Sequence, residues 1–479
     1  MEPLSGLDAA FLSIETDTSR LHVGAVLVLD PPEGRRSLFS PSTRFAQIRR
    51  VIEQRVHLAR PLRQRVVRMP LGLHHPVWAD DADLDLDDHV RRASLPAPGG
   101  PRELEELVAD IMGRPLDPDR PLWEMVVVEG LAGGRSALVA KLHHAILDGV
   151  SGASLLATFL DPGPRDRPVP LQGAWEAAPA PGAHELLWHA ASGLLRNPAV
   201  AADALNRGVE ALAWASRQGR RPPVGDDPPQ PQLFGAPRSS INGAISSRRR
   251  FATVSVPVAD LDLVRRTFAT TSNDVVLAAV AGGVRRMLAA RGDLPEKPLV
   301  ALVPVSMRRR RDAASLGNRL SGMLVSLRTD VDDPSARLLA IARGTAAAKA
   351  RHRATRGRLL RDVVQLSPPA VTSRVARLAA GLRVFDRLPP PFNLVVSNVP
   401  GPGTPLWCAG SRVVALYPVG PVAEGVGLNV TAISYAGELS VGLLGCRRLV
   451  PEVQDLAIRV DEAFGQLVGT AARSQPAAG

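Results

Sequence analysis

The deciding stretch is Lys141-Leu142-His143-His144-Ala145-Ile146-Leu147-Asp148-Gly149. It ends a β-rich run that starts at Arg135, so its side chains alternate between two faces. On that alternation His144 shares a face with Leu142, Ala140 and Leu138, and His143 with Lys141 and Val139. His144 is therefore expected to point into a desolvated interior, where burial favours the neutral ring. A neutral imidazole is the form a general base needs. Adjacent histidines on opposite faces do not easily share a metal, and no third ligand stands at metal-site spacing, so zinc is disfavoured. Asp148-Gly149 then turns the chain into a helix expected over 150–160. Asp148 suits an N-cap and Gly149 an unusual turn geometry.

Working outward, residues 122–128 form a β-rich run that turns at 130–134 into the strand bearing the histidines, which predicts a hairpin. Upstream, 7–14 reads as a short helix, 22–29 as a strand and 43–58 as helical. Short strands follow at 65–68 and 76–79, and 103–112 is a helix with a clear apolar stripe. Prolines at 162, 164, 168 and 170 open a different region, followed by an Ala/Leu-rich helical stretch and a second Pro-rich segment up to 231. Trp188 and Trp214 lie in it, facing either the body of the protein or a partner or membrane.

The second half begins near Arg248. Strands are expected at 251–256, 300–305, 323–327, 394–396, 413–416, 427–435 and 438–444, with a hairpin at Ala436-Gly437. Helices are expected at 258–268, 273–291, 334–361 and 450–468. The expected organisation is an N-terminal domain over 1–160, a crossover over 161–242 and a C-terminal domain over 243–479. The class is mixed α/β (α+β), with helices flanking both sheets.

Composition narrows the function. The chain has 479 residues and a formal charge of +11, too long for one ordinary domain. Hydrophobic residues make up 45%, which excludes a mainly disordered chain. Two cysteines, Cys408 and Cys446, exclude a disulfide scaffold and a Cys-rich zinc site and suit a reducing cytoplasm. No apolar run approaches the length of a transmembrane helix, and the acidic start lacks the pattern of a secretory signal. Lysine occurs only at positions 141, 297 and 349, so the basic charge is almost all arginine, which suits bidentate phosphate recognition. The clusters at 308–311 and 343–361 are either solvated surface or a site for anionic groups. With 4% aromatics and no nucleic-acid-binding signature, a nucleic-acid partner is not expected.

The spacing His143-His144-x-x-x-Asp148-Gly149 resembles the signature of the superfamily that contains chloramphenicol acetyltransferase and peptide-synthetase condensation domains. Further segments resemble bacterial wax ester synthase/diacylglycerol acyltransferases. They are Pro3-Leu4-Ser5-Gly6-Leu7-Asp8-Ala9-Ala10-Phe11-Leu12 with Glu15-Thr16 and His22-Val23-Gly24, and Arg114-Pro115-Leu116-Asp117 leading to Pro121-Leu122-Trp123. Asn273-Asp274, Val303-Pro304-Val305-Ser306-Met307-Arg308, Leu316-Gly317-Asn318-Arg319 and Ser397-Asn398-Val399-Pro400-Gly401-Pro402 continue the order. One segment departs: where the family often has Thr-Pro-Leu-Asn, this chain has Arg238-Ser239-Ser240-Ile241-Asn242, keeping only the Asn.

The resemblance implies a two-domain chloramphenicol-acetyltransferase-like fold with a tunnel between domains. It implies O-acyl transfer from long-chain acyl-CoA to diacylglycerol or a long-chain alcohol. His144 would be the general base, His143 structural, Asp148 a loop-holding group and Gly149 a point of substrate access. No acyl-enzyme is implied, since no serine elbow or reactive-cysteine pattern is present. No metal or bound cofactor is implied; acyl-CoA is a co-substrate. Asn273 is either an N-cap or a positioned amide, and Asp274 belongs to the same motif. Ser397 and Asn398 either bind substrate or form a turn before Pro400. Trp123 is either core or a substrate contact. His74-His75 lacks a following Asp-Gly and reads as surface or structural. The expected location is cytoplasmic, with peripheral contact at the inner membrane face or lipid bodies. The rival readings are carrier-protein-dependent condensation and a weakly catalytic lipid- or CoA-binding relative.

Overall fold

The structure is a computed structural model and describes residues 2–31, 41–69, 75–147, 152–165, 231–306, 320–354 and 369–474, with 167, 169, 177, 178, 182, 184 and 185. The first half runs β1 (Glu2–Pro3), α1 (Gly6–Ile14), β2 (His22–Leu29), α2 (Pro41–Arg55), β3 (Gln64–Val67), β4 (Val77–Asp80), α3 (Leu86–His89), β5 (Val90–Ser94), α4 (Pro101–Gly113), β6 (Trp123–Leu131), β7 (Arg135–His143) and α5 (Gly152–Ala157). The second runs β8 (Arg249–Pro257), α6 (Val258–Thr267), α7 (Ser272–Ala290), β9 (Val300–Ser306), β10 (Leu320–Ser326), α8 (Pro334–Ala354) and α9 (Pro369–Gly381). It finishes with β11 (Leu394–Val399), β12 (Trp407–Cys408), β13 (Ser411–Val419), β14 (Leu428–Tyr435), β15 (Glu438–Cys446) and α10 (Val453–Ser474).

Local chemistry explains the boundaries. Ser5 caps α1 by accepting the Asp8 N–H. At the start of α4, Pro101 needs no N–H partner and Glu103 accepts the Gly100 N–H at 2.8 Å. That helix buries Leu104, Val108, Ile111 and Met112 on one stripe. Ala436 and Gly437 both take positive φ, as the tight hairpin between β14 and β15 demands.

Two six-stranded mixed sheets carry the molecule, in the orders β12-β13-β2-β7-β6-β5 and β10-β9-β11-β14-β15-β8. A three-stranded sheet, β1-β4-β3, flanks the first. The sheet order corrects the expected division at residue 243. Residues 407–419, assigned to the C-terminal domain, belong to the first sheet, where β13 pairs antiparallel with β2. The physical reason is the free edge of β2, whose backbone groups β13 satisfies while Val413 and Leu416 enter the first core. A seam core of Val26, Met112, Val126, Val139, Phe251, Val419 and Leu444 joins the halves.

The sheets touch closely where β15 crosses β13. A Cβ at Gly442 would run into the Pro418 carbonyl. Gly442→Val is expected to force the sheets apart and lower stability by about 1–3 kcal/mol, read as a lower urea midpoint. An unchanged midpoint would show that the crossing tolerates separation.

The expected strands and helices recur, and β1, α3, α9 and β12 join them without having been expected. Val90–Ser94 was not expected to be a strand; its two exposed arginines hide the alternation of an edge strand. Ser397 and Asn398 lie within β11, paired with Thr431 and Ala432 of β14, rather than in a turn. The helix expected over 150–160 is α5, and residues 148–151 lie outside the described residues. So do Trp188, Trp214, the cluster at 308–311, the motif at 316–319 and the end of the 343–361 stretch.

Candidate active site

Strand β7 ends at His143, which pairs with His22 at the start of β2. His144 opens a 3₁₀ turn, His144–Leu147. This corrects the expectation that both histidines extend the strand. The turn changes the direction of the second ring, so it is His143, 1% exposed, that is wholly buried, whereas His144 stays half-buried. The two rings contact different neighbours. His144 lies against Phe11 of α1, ring centroids 4.3 Å apart. His143 meets His22 edge-on at 6.1 Å.

His143 is fixed by its surroundings. Its Nδ1 accepts the Ala145 N–H at 3.1 Å, so the neutral ring is assigned its proton on Nε2. That nitrogen stands 3.7 Å from a Glu15 carboxylate oxygen. Burial, with the neighbouring His144 adding to it, pushes the His143 pKa down to about 3. Burial also lowers His144, opposed by the ring's own backbone carbonyl. Nδ1 of His144 is buried without a hydrogen-bond partner. His22 is held well below the ordinary imidazole range, first by burial and then by the positive charge of Lys141. Lys141 itself is 0% exposed and spans Glu124 and the Ile111 carbonyl, both at 3.0 Å.

The three rings make stability pH-dependent. Each folded pKa lies below 6.5, so the unfolded chain binds more protons as the pH falls through that value. The full contribution is present above 6.5 and is lost on the way down towards the folded values. The expected slope is about 1.4 kcal/mol per pH unit for each histidine. Urea midpoints measured from neutral pH downward should fall, and His143→Gln should flatten that fall. A midpoint independent of pH would contradict neutral burial.

Other expected site residues separate from the pair. Asp148 and Gly149 lie outside the described residues. Trp123 is core: it is 1% exposed, stacks on His89 at 4.4 Å and donates Nε1–H to the Leu62 carbonyl at 2.8 Å. Asn273 is not the helix cap. Thr271 is, and Asp274 returns to its N–H at 3.0 Å and also accepts the Thr345 hydroxyl at 2.5 Å. Asp274 therefore fastens α7 to α8. Among the described residues no hydrogen bond joins Asn273, Ser397 or Asn398 to either histidine. The retained Asn242 is structural, donating to the Gly425 carbonyl at 2.8 Å and accepting from Asn393 at 2.8 Å. His75 is half-buried and its neighbour His74 lies outside the described residues.

Phe11, Glu15 and His22 received no role from sequence. All three lie in the N-terminal motif, so the signal was present, but only the pairing of β2 with β7 and the packing of α1 on the 3₁₀ turn bring them to the histidines.

The chain as a whole is similar to known proteins. Residues 4–276 match the wax ester synthase/diacylglycerol acyltransferase catalytic domain, and 316–468 match the C-terminal domain of the same family. The chain belongs to the wax ester synthase/diacylglycerol acyltransferase family. A Mycobacterium tuberculosis protein provisionally named a diacylglycerol O-acyltransferase is 36% identical over 98% of this chain and 90% of its own length. The solved wax ester synthase/diacylglycerol acyltransferase from Marinobacter aquaeolei VT8 is 30% identical, with a TM-score of 0.71 over 98% of this chain and 100% of that one. The first condensation domain of a calcium-dependent antibiotic synthetase, 16% identical with a TM-score of 0.52 over 99% and 97%, shares the fold. Among the described residues no His, Cys, Asp and Glu cluster could hold a metal, and no helix is long and apolar enough to cross a membrane.

Proposed function

We propose that this chain moves a long-chain acyl group from acyl-CoA to the hydroxyl of a diacylglycerol or long-chain alcohol, releasing CoA. The observation that carries the reading is His144: buried enough to stay neutral, yet less enclosed than His143. Its Nδ1 is buried without a hydrogen-bond partner, which leaves Nε2 to take the acceptor's proton. The hydroxyl oxygen attacks the thioester carbonyl, and the proton passes to the departing thiolate. No metal or bound cofactor is needed for these steps. By the family resemblance Asp148 is the loop-holding group and Gly149 the point of substrate access, Asn273, Ser397 and Asn398 serve as polar supports, and Trp123 supports β7 from the core.

The acceptor is a lipid, and the reading includes peripheral contact with the inner membrane face or a lipid body on the cytoplasmic side. Helix α9 packs on α1, the helix that carries Phe11. Leu378 and Leu382 are 63% and 59% exposed at its end, between exposed Arg374, Arg377, Arg383 and Arg387. An apolar ridge flanked by arginine suits an anionic lipid surface. Leu378→Ser/Leu382→Ser is expected to reduce co-sedimentation with phosphatidylglycerol vesicles; unchanged co-sedimentation would exclude this face.

The test of function is CoA release from long-chain acyl-CoA with a diacylglycerol, with a long-chain alcohol and with neither. Acceptor-dependent release is expected, and the better acceptor names the product. A folded protein giving none with either acceptor overturns the reading and favours a carrier-bound donor or lipid binding without turnover.

A further inference from the structure

A cleft of about 770 Å³ opens where the end of α4 meets the start of β8. It lies on the seam between the halves. Glu105 of α4 accepts the Thr253 N–H at 2.8 Å and so covers the edge of the second sheet. Five guanidinium groups line the cleft, from Arg114, Arg248, Arg249, Arg250 and Arg447, against two carboxylates, Glu106 and Asp110. Three separate segments supply these arginines, of which only the run 248–250 is contiguous in the sequence.

Their partners divide them. Asp110 pairs with Arg114 one helical turn away, on exposed surface. Arg249 is buried and donates to the carbonyls of Thr18 and Ser246. Arg248, Arg250 and Arg447 have no carboxylate partner among the described residues. Nε of Arg250 is buried with no hydrogen-bond acceptor at all. A buried, unmet donor beside two free exposed guanidinium groups calls for an anion with several oxygens.

The cleft lies near the histidines. Met112 and Gly113 end α4; Gly113 lines the cleft, and the Met112 side chain lies against Gly24, two residues from His22 in β2. His22 stands 6.1 Å from His143. On the other wall, the loop holding Glu15 beside His143 reaches Arg249 through the Thr18 carbonyl. Between these walls, Nε of Arg20, both nitrogens of His22 and Nε2 of His143 are buried without hydrogen-bond partners. Buried polar atoms left without partners favour a neighbouring water or polar group.

We propose that this cleft docks the phosphorylated adenosine end of the acyl donor, with the pantetheine arm leading past His22 towards His143 and His144. The proposal rests on the acyl-CoA reading above and gives it a location. Arg248, Arg250 and Arg447 bind the phosphates; none acts on the thioester.

The test uses the full chain and the double variant Arg248→Ser/Arg447→Ser, both positions exposed, with Arg248→Lys/Arg447→Lys as the charge-preserving control. Binding of free CoA and of dephospho-CoA is measured by calorimetry. KM is measured for acyl-CoA and for the acyl N-acetylcysteamine thioester, which lacks the nucleotide. The Ser variant is expected to bind CoA roughly tenfold to a hundredfold more weakly and to lose its preference for acyl-CoA over the truncated donor. The Lys variant should recover part of both. Unchanged CoA binding in a folded Ser variant overturns the proposal. So does a parallel loss with both donors, which would mark the arginines as structural. If the wild type binds CoA through these arginines yet transfers no acyl group to any acceptor, the cleft stands and the acyltransferase reading falls.

Discussion

Replacing His144 with alanine is expected to lower kcat for acyl transfer by roughly 10²–10⁴-fold. The substitution removes the proposed base and leaves a half-buried space beside Phe11, so the folded chain should persist. The control is His143→Ala, which removes a ring that is 1% exposed and frees the Ala145 N–H. That variant is expected to lose stability as well as activity. The pH profile separates the roles. Burial holds His144 below 6.5, so the basic form remains dominant at neutral pH. Activity should be level there and fall on the acid side, below the ordinary imidazole range. A His144→Ala enzyme that retained both its rate and its acid limb would place the base elsewhere.

The second large effect concerns a pair far from the chemistry in sequence. Arg55 at the end of α2 and Asp161 are each 1% exposed and meet at 2.9 Å. Asp161 also accepts the Arg167 N–H at 3.1 Å and exchanges backbone hydrogen bonds with Trp407 of β12. It therefore anchors the chain beyond α5, holding the far end of the segment that begins at the histidines. Arg55→Ala leaves a carboxylate buried without its cation and is expected to cost about 3–5 kcal/mol. Arg55→Leu/Asp161→Leu removes both charges and should recover much of that loss. Urea midpoints of the single and double variants decide it. A single variant within about 1 kcal/mol of wild type would mean that water reaches the pair.

The histidine strand shows both the reach and the limit of sequence reading. Alternation over 135–143 correctly marks a strand with two buried faces, because period-two packing is written residue by residue. It failed one position later, since a 3₁₀ turn replaces alternation at His144 and no local residue announces it. The cap of α7 failed for a related reason. Asn273 is a good capping residue, but Thr271 with Asp274 forms the reciprocal box and prevails. Neither the basic cleft nor the Phe11–His144 contact could be read from the sequence, because each joins segments whose proximity is decided by the sheets. The exchange of β13 was equally hidden: Val413 to Val419 looks the same whichever sheet it completes.

That exchange also has a consequence for how the protein is made. Strand β2 leaves the ribosome long before β13, its neighbour in the sheet. Throughout that interval the first sheet ends in an open, apolar strand. Nascent chains should therefore recruit chaperones until β13 has emerged, and a premature stop just before Ser411 should yield an aggregating fragment rather than a working half.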